Sequence, residues 1–173
     1  MSAYEGFRME SDVKAGGLNQ ADLTSDDMYY TKAEMKSMIQ NYRKLGLDII
    51  PEFDTPAHSL SFTKVRPDLR FGTTGRQNDH FNLNTKYDES LAFVESIWDE
   101  YIKGDDPVFD RDTIVNIGTD EYDGQYTEQF RKFTDDLLAY IQDNGNTVRL
   151  WGSLTARSGS TSVRSEGVQM NIW

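Results

Sequence analysis

Thr113-Ile114-Val115-Asn116-Ile117-Gly118-Thr119-Asp120-Glu121 is the stretch on which the fold turns. Its first six residues make an apolar run of strand length, and two acids stand immediately past its end. Working outward, each side carries a helix pattern. Upstream, Leu91, Val94, Ile97, Trp98 and Tyr101 recur at helical spacing and Gly104 closes the segment. Downstream, a helix is expected from near Thr127, with Phe130, Phe133, Leu137, Leu138 and Ile141 on one face and Gly145 at its end.

The same alternation continues toward both termini. Thr31-x-x-Glu34 is a capping box opening a helix with Met35, Met38, Ile39, Tyr42 and Leu45 on one face, and Gly46 stands at its C′ position. A short apolar run, Leu47-Asp48-Ile49-Ile50-Pro51-Glu52-Phe53, follows and closes on Asp54-Thr55-Pro56, which predicts a buried strand. Thr147 to Trp151 and Val168 to Trp173 read as two more strands, joined by a polar Gly/Ser-rich segment whose crossover helix is short or irregular. Residues 1–30 carry Gly6, Gly16 and Gly17 with no sustained period and read as a loop-rich lead-in.

Helices alternating with near-continuous apolar strands, buried on both faces, specify a parallel α/β sheet. A doubly wound sheet would carry phosphate-binding glycines after its first strand, and no strand here is followed by G-x-G-x-x-G or a P-loop. A (β/α)8 barrel instead gathers polar chemistry at the C-terminal ends of several strands, as Asp54 and His58, Asp120 and Glu121, Trp151 and Trp173 are placed. A barrel takes about 250 residues, so a chain of 173 with four strands is expected to be roughly half of one, a single partial domain over 1–173.

Composition narrows the partners. Eighteen Lys and Arg stand against 29 Asp and Glu, a net charge of −11, and the basic residues form no stripe, which disfavours nucleic acid and anionic membrane surfaces. No apolar run approaches the roughly 20 residues of a membrane span, and the first residues lack the pattern of a signal peptide. The absence of cysteine excludes disulfide scaffolds and thiolate chemistry.

Among the polar residues, Asp120-Glu121 is the sharpest signal. Neighbours on a strand face opposite ways, which suits two acids to two roles around one substrate; they could equally be a dipole-favoured pair before the next helix. His58, in the turn after a strand, could hydrogen-bond and tune a carboxylate or merely hold the turn. His80 reads as solvated. Asp54, His58 and Asp120 could in principle ligate a metal, but no H-x-H or H-E-x-x-H supports it. Trp151 and Trp173 could wall a sugar site or pack in the core, and Trp98 belongs to the core.

The ordered set Tyr29-Tyr30-Thr31-Lys32-Ala33-Glu34, Pro51-Glu52-Phe53-Asp54-Thr55-Pro56-Ala57-His58-Ser59 and Ile117-Gly118-Thr119-Asp120-Glu121-Tyr122 resembles the β-N-acetylhexosaminidases of glycoside hydrolase family 20. The resemblance runs from Glu5-Gly6-Phe7-Arg8 to Trp173, with Ala57 and Thr119 standing where the family more often has Gly. Residues 56–69 are more similar to the lacto-N-biosidase branch.

The resemblance implies a retaining exo-glycosidase that uses the substrate's own acetamido group, through an oxazolinium intermediate. It makes Glu121 the general acid and then base, Asp120 the holder of the acetamido N–H, His58 the partner of the catalytic Glu, and Trp151, Trp173 and Asp54 substrate-binding residues. It also implies that an Arg gripping sugar hydroxyls, the Asp that pairs with the histidine and a Tyr capping the acetamido group lie on strands outside this segment. Arg8 does not take that Arg's place. The expected partners are a glycan and the rest of the barrel, with no cofactor, no metal and an extracellular or cell-surface bacterial location. The competing expectation is a catalytically incomplete fragment that only binds carbohydrate or serves folding, since half a barrel leaves edge strands unpaired. A metal-dependent hydrolase is a weaker alternative.

Overall fold

A computed structural model describes residues 6–13, 22–152 and 157–172. Its elements in chain order are α1 (Lys32–Arg43), β1 (Glu52–Thr55), α2 (Leu60–Thr63), α3 (Tyr87–Ile102), β2 (Val115–Gly118), α4 (Thr127–Asp143), β3 (Val148–Trp151) and β4 (Val168–Asn171), with short 3-10 turns at Pro67–Leu69, Gly75–Asp79 and Gly124–Tyr126. The four strands form one sheet in the order β1-β2-β3-β4, every pair parallel. Strands of sequential order joined through helices are the repeating unit of a barrel wall.

The strands are shorter than their apolar runs. The stretch 47–53 predicts a strand that in fact begins at Glu52, and Leu47 is exposed. Hydrogen bonds to β2 start only at Pro51, whose carbonyl accepts from Asn116, so the residues before it approach the sheet without pairing. Burial on both faces holds for β2 alone. On β1 and β3 it alternates, with Phe53, Thr55, Val148 and Leu150 buried and Glu52, Asp54, Arg149 and Trp151 less so. The first set faces the helices; the second faces the other side, which polar side chains line.

The core lies between sheet and helices. Phe53 meets Trp98 and Tyr101 of α3 at ring-centroid distances of 4.4 and 5.1 Å, and Phe7, Phe62 and Phe109 extend the aromatic cluster. Trp98 is fully buried, as its spacing predicts. The apolar faces of α3 and α4 are likewise interior: Val94, Ile97, Phe133, Leu137, Leu138 and Ile141 are all buried. On α1 only Ile39 is fully buried, whereas Tyr42, and Leu45 just past the helix end, face solvent. This helix is tied down by polar contacts instead: Arg43 makes a two-pronged bond to Asp110, 2.9 Å on each side, ahead of β2. The described part of the segment between β3 and β4, residues 157–167, contains no helix.

Candidate active site

The polar side of the sheet and the turns at the strands' C-terminal ends converge on one place. After β1 the chain turns through a cis Thr55–Pro56 bond, and His58 takes a left-handed backbone (φ 51°). After β2, Thr119 (φ 59°) and Glu121 (φ 48°) do the same. Three side-chain-bearing residues in a region that costs roughly 1–3 kcal/mol each, all within two adjacent turns, mark a geometry held by its surroundings.

That backbone also corrects an expectation. Asp120 and Glu121 would face opposite ways on a strand, but β2 ends at Gly118, and the left-handed residues swing both acids to one side. His58 Nε2 lies 3.3 Å from Glu121 Oε2 and 3.6 Å from Asp120 Oδ1. The other ring nitrogen, Nδ1, faces Asp79 Oδ2 at 3.6 Å. The imidazole thus stands between the tandem acids and a third carboxylate.

Asp54 completes the cluster. Gly118 has φ 72°, and a Cβ there would lie 1.8 Å from Asp54 Oδ1, so only glycine lets β2 approach this carboxylate so closely. Burial, and then the charge of Asp120, push the Asp54 carboxyl far above its usual range, to about 9, and burial also raises Asp120. Asp54 Oδ1 and Asp120 Oδ1 are both buried with no N–H or hydroxyl donor, and a proton carried by Asp54 and shared with Asp120 satisfies both. Asp54, His58 and Asp120 also bring one ligand atom each within 4.8 Å of the others, the spacing of a possible cation site.

A second polar group crosses three strands. Glu52 accepts from Asn116 Nδ2 at 2.6 Å and from Trp151 Nε1 at 3.0 Å, so the indole of Trp151 is held on the polar side and is only half-buried. Trp151 therefore lies on the polar side of the sheet and not in the core. Trp173 lies outside the described residues. A cleft of about 540 Å³, lined in part by Phe7, Arg8, Glu52, Asp54, His58 and Phe62, opens beside the cluster on the β1 side. Glu121 is open to solvent as well, its side chain 49% exposed.

His80, expected in solvent, is 3% exposed: it stacks on Tyr122 at 4.9 Å and its Nδ1 bonds Asp79 Oδ1 at 2.7 Å. Three residues of the site carried no mark in the sequence reading. Glu52 stands two positions before Asp54 on one strand face, and Asn116 is the lone polar residue in an apolar run; both spacings were available signals. Asp79 had none, since its place depends on a loop closing over the His58 turn.

The chain is similar in sequence and fold to known proteins. The family model described as glycosyl hydrolase family 20, catalytic domain, matches residues 2–173. The lacto-N-biosidase of Bifidobacterium bifidum is 22% identical over 167 residues, covering 84% of this chain and 14% of that protein. The human beta-hexosaminidase subunit beta is 31% identical over 113 residues, covering 61% of this chain and 19% of that protein. Among solved structures, the pneumococcal virulence factor StrH superposes with a TM-score of 0.72 at 17% identity, over 98% of this chain and 48% of that one. The chitobiase of Flavobacterium johnsoniae also gives 0.72 at 18% identity, over 98% of this chain and 28% of that one. The chain thus spans less than a fifth of each of these two curated relatives and under half of either structure, with four parallel strands of a (β/α)8 barrel. It belongs to the catalytic domain of glycosyl hydrolase family 20.

Proposed function

We propose that this chain carries the acid–base centre of a retaining exo-glycosidase that removes terminal β-linked N-acetylhexosamine units, as the monosaccharide or as lacto-N-biose. The observation that carries the reading is the shared orientation of two adjacent acids: Asp120 and Glu121 both face His58 Nε2, at 3.6 and 3.3 Å.

In this reading Glu121 gives its proton to the glycosidic oxygen while the substrate's acetamido carbonyl oxygen attacks C1 from the opposite face. The C1–O bond to the aglycone breaks, and the aglycone leaves with the proton. Asp120, ionised because Asp54 keeps the pair's proton, accepts the acetamido N–H and balances the positive charge that grows on the oxazolinium ring. Glu121, now a carboxylate, takes a proton from water, whose oxygen attacks C1 and reopens the ring. Two inversions at C1 give retention without a protein nucleophile. Trp151, braced by Glu52, offers its face to the sugar ring.

The test is hydrolysis by the full-length protein of chromogenic β-N-acetylglucosaminide and chromogenic lacto-N-bioside. Glu121→Gln is expected to lower kcat by a factor of about 10² to 10⁴, with Asp120→Asn hurting acetamido substrates most. Near-normal turnover by Glu121→Gln would sink the acid–base role, and activity abolished by a chelator would transfer the cluster of Asp54, His58 and Asp120 to a metal. Release from only one substrate settles which unit leaves. The half-exposed Glu121 favours a second reading for the isolated chain, a carbohydrate-binding or folding unit without turnover. Binding of N-acetylglucosamine without hydrolysis by this chain expressed alone, beside a full-length protein that turns over, would establish it.

A further inference from the structure

We propose that Glu52, on β1, is a positioning residue for substrate binding: its carboxylate fixes the indole of Trp151 across the sheet and so sets the wall against which the sugar lies. The inference rests on the reading of Trp151 as a sugar-contacting ring and adds to it the group that holds the ring.

The strand register brings the two side chains together. Glu52 is level with Asn116 on β2, Asn116 with Arg149 on β3, and Arg149 with Gln169 on β4, so one polar residue from each strand lies in a single layer. A barrel interior is ordinarily filled at such a layer by branched apolar side chains. Trp151 is two residues beyond Arg149 on the same strand face, one layer nearer the strand ends. The corresponding residue on β2 is Gly118, which has no side chain to stand between Glu52 and the indole.

The groups around Glu52 decide its charge. The Asn116 amide oxygen accepts from Gly118 N–H at 3.0 Å, which turns its NH2 toward Glu52 Oε2 at 2.6 Å. The indole Nε1–H of Trp151 can only donate, and it meets Oε1 at 3.0 Å. Both oxygens of Glu52 therefore face donors. A carboxylate accepts at both, whereas a neutral acid or an amide would turn a hydrogen toward one of them. Burial opposes that charge and pushes the Glu52 carboxyl above its usual range, and the Trp151 N–H works in the other direction. Trp151 is only half-buried, so packing does not close on both of its faces, and the bond to Glu52 fixes the rotation of the ring. Among the described residues, the hydrogen bonds of Glu52 go to Asn116 and Trp151 and none goes to His58, Asp120 or Glu121. Its effect is on the wall and not on the proton transfer.

The test uses the full-length protein with a chromogenic β-N-acetylglucosaminide and an oligosaccharide. Glu52→Gln keeps the shape but turns an NH2 toward one donor. It is expected to raise KM about threefold to tenfold on both substrates while kcat falls less than about threefold, as when binding common to ground and transition states is lost. Trp151→Phe keeps a ring and removes the N–H; it should raise KM as well, and adding Glu52→Gln to it should cost little more. The indole Nε1–H resonance that Trp151→Phe deletes should move upfield in Glu52→Gln while that of the buried Trp98 stays in place. Arg149→Met loosens the same layer by removing bonds of 3.1 and 2.6 Å to Gln169 Oε1 and should lower Tm without raising KM. Unchanged KM in Glu52→Gln, a loss confined to kcat, or KM effects that multiply with those of Trp151→Phe would overturn the inference. Should Glu52→Gln fail to fold, hydrogen exchange in the unmutated protein decides: a protected Trp151 Nε1–H supports it and one exchanging like a free indole defeats it. Wild-type KM in Trp151→Ala would remove the underlying reading instead, a result distinguishable from a raised KM in Trp151→Ala beside an unaffected Glu52→Gln.

Discussion

Thr119 is where the site's geometry opposes residue chemistry most directly. It is β-branched, sits at φ 59°, is almost fully buried, and its hydroxyl has no hydrogen-bond partner. Left-handed backbone costs an L-residue about 1–2 kcal/mol, and a buried unpaired hydroxyl adds to it, whereas glycine's extra unfolded-state freedom costs about 0.5–1. Thr119→Gly is therefore expected to raise stability by about 0.5–1 kcal/mol, read as an upward shift of Tm; a lower Tm would mean that the side chain packs better than it strains.

Asp54 gives a prediction with a sign in pH. Folded, it keeps its proton up to about pH 9, while unfolded it releases it in the ordinary carboxylate range. Between those limits the folded chain binds more protons, so this group makes stability fall as pH rises. Asp54→Asn keeps the neutral shape without the titration. It should be more stable than the unmutated chain, by a margin that grows from pH 5 to about 1 kcal/mol or more at pH 8. Urea melts at the two pH values check it, and an equal margin at both would show that Asp54 is ionised. Asp120 and Glu121 were legible as a pair at a strand end because sequence adjacency survives folding. The partnership of Asp79 and His80 with His58 was not, because it is made by a loop folding back across some twenty residues without any period to announce it.

At the scale of elements, what repeats was readable and what pairs was not. The helices matched because a 3.6-residue period of large apolar groups has one physical solution, and α1 adds a capping box in which Glu34 N–H donates to Thr31 Oγ1 at 3.1 Å and Thr31 N–H donates to Glu34 at 2.8 Å. Since α1 buries only Ile39 fully, its start depends on that cap more than the starts of α3 and α4, whose N-caps make no side-chain bond but whose apolar faces are interior. Thr31→Ala should cost about 1 kcal/mol, measured in a urea melt, and an unchanged midpoint would show that the polar ties of Lys32, Lys36 and Arg43 hold the helix without the cap. The ends of β1 were misread because an apolar run does not say which of its residues find hydrogen-bond partners. The polar side of the sheet could have been read from alternation: Glu52, Asp54, Asn116 and Trp151 fall on it at period two.

On the scale of the whole molecule, the sheet has four strands and two outer edges. Among the described residues no strand pairs with the free side of β1 or of β4. The N-terminal segment packs Phe7 on Phe53 beside β1, which shields that edge in part, but Met170 of β4 is 46% exposed and Ile172, the residue just past it, 82%. An unpaired strand edge flanked by exposed apolar groups is a template for another chain, and only charge, a bulge or a covering strand blunts it. The chain expressed by itself is therefore expected to self-associate at tens of micromolar, and Ile172→Lys to restore monomer by placing a charge at the edge. Where further barrel strands cover β4, the same lysine would be buried without a partner and should lower Tm, so one substitution carries opposite signs in the two settings. Sedimentation velocity on the isolated chain and thermal melts of the full-length protein decide between them. A monomeric unmutated chain, or a full-length protein indifferent to Ile172→Lys, would mean that β4 is a finished edge and the sheet closes on nothing.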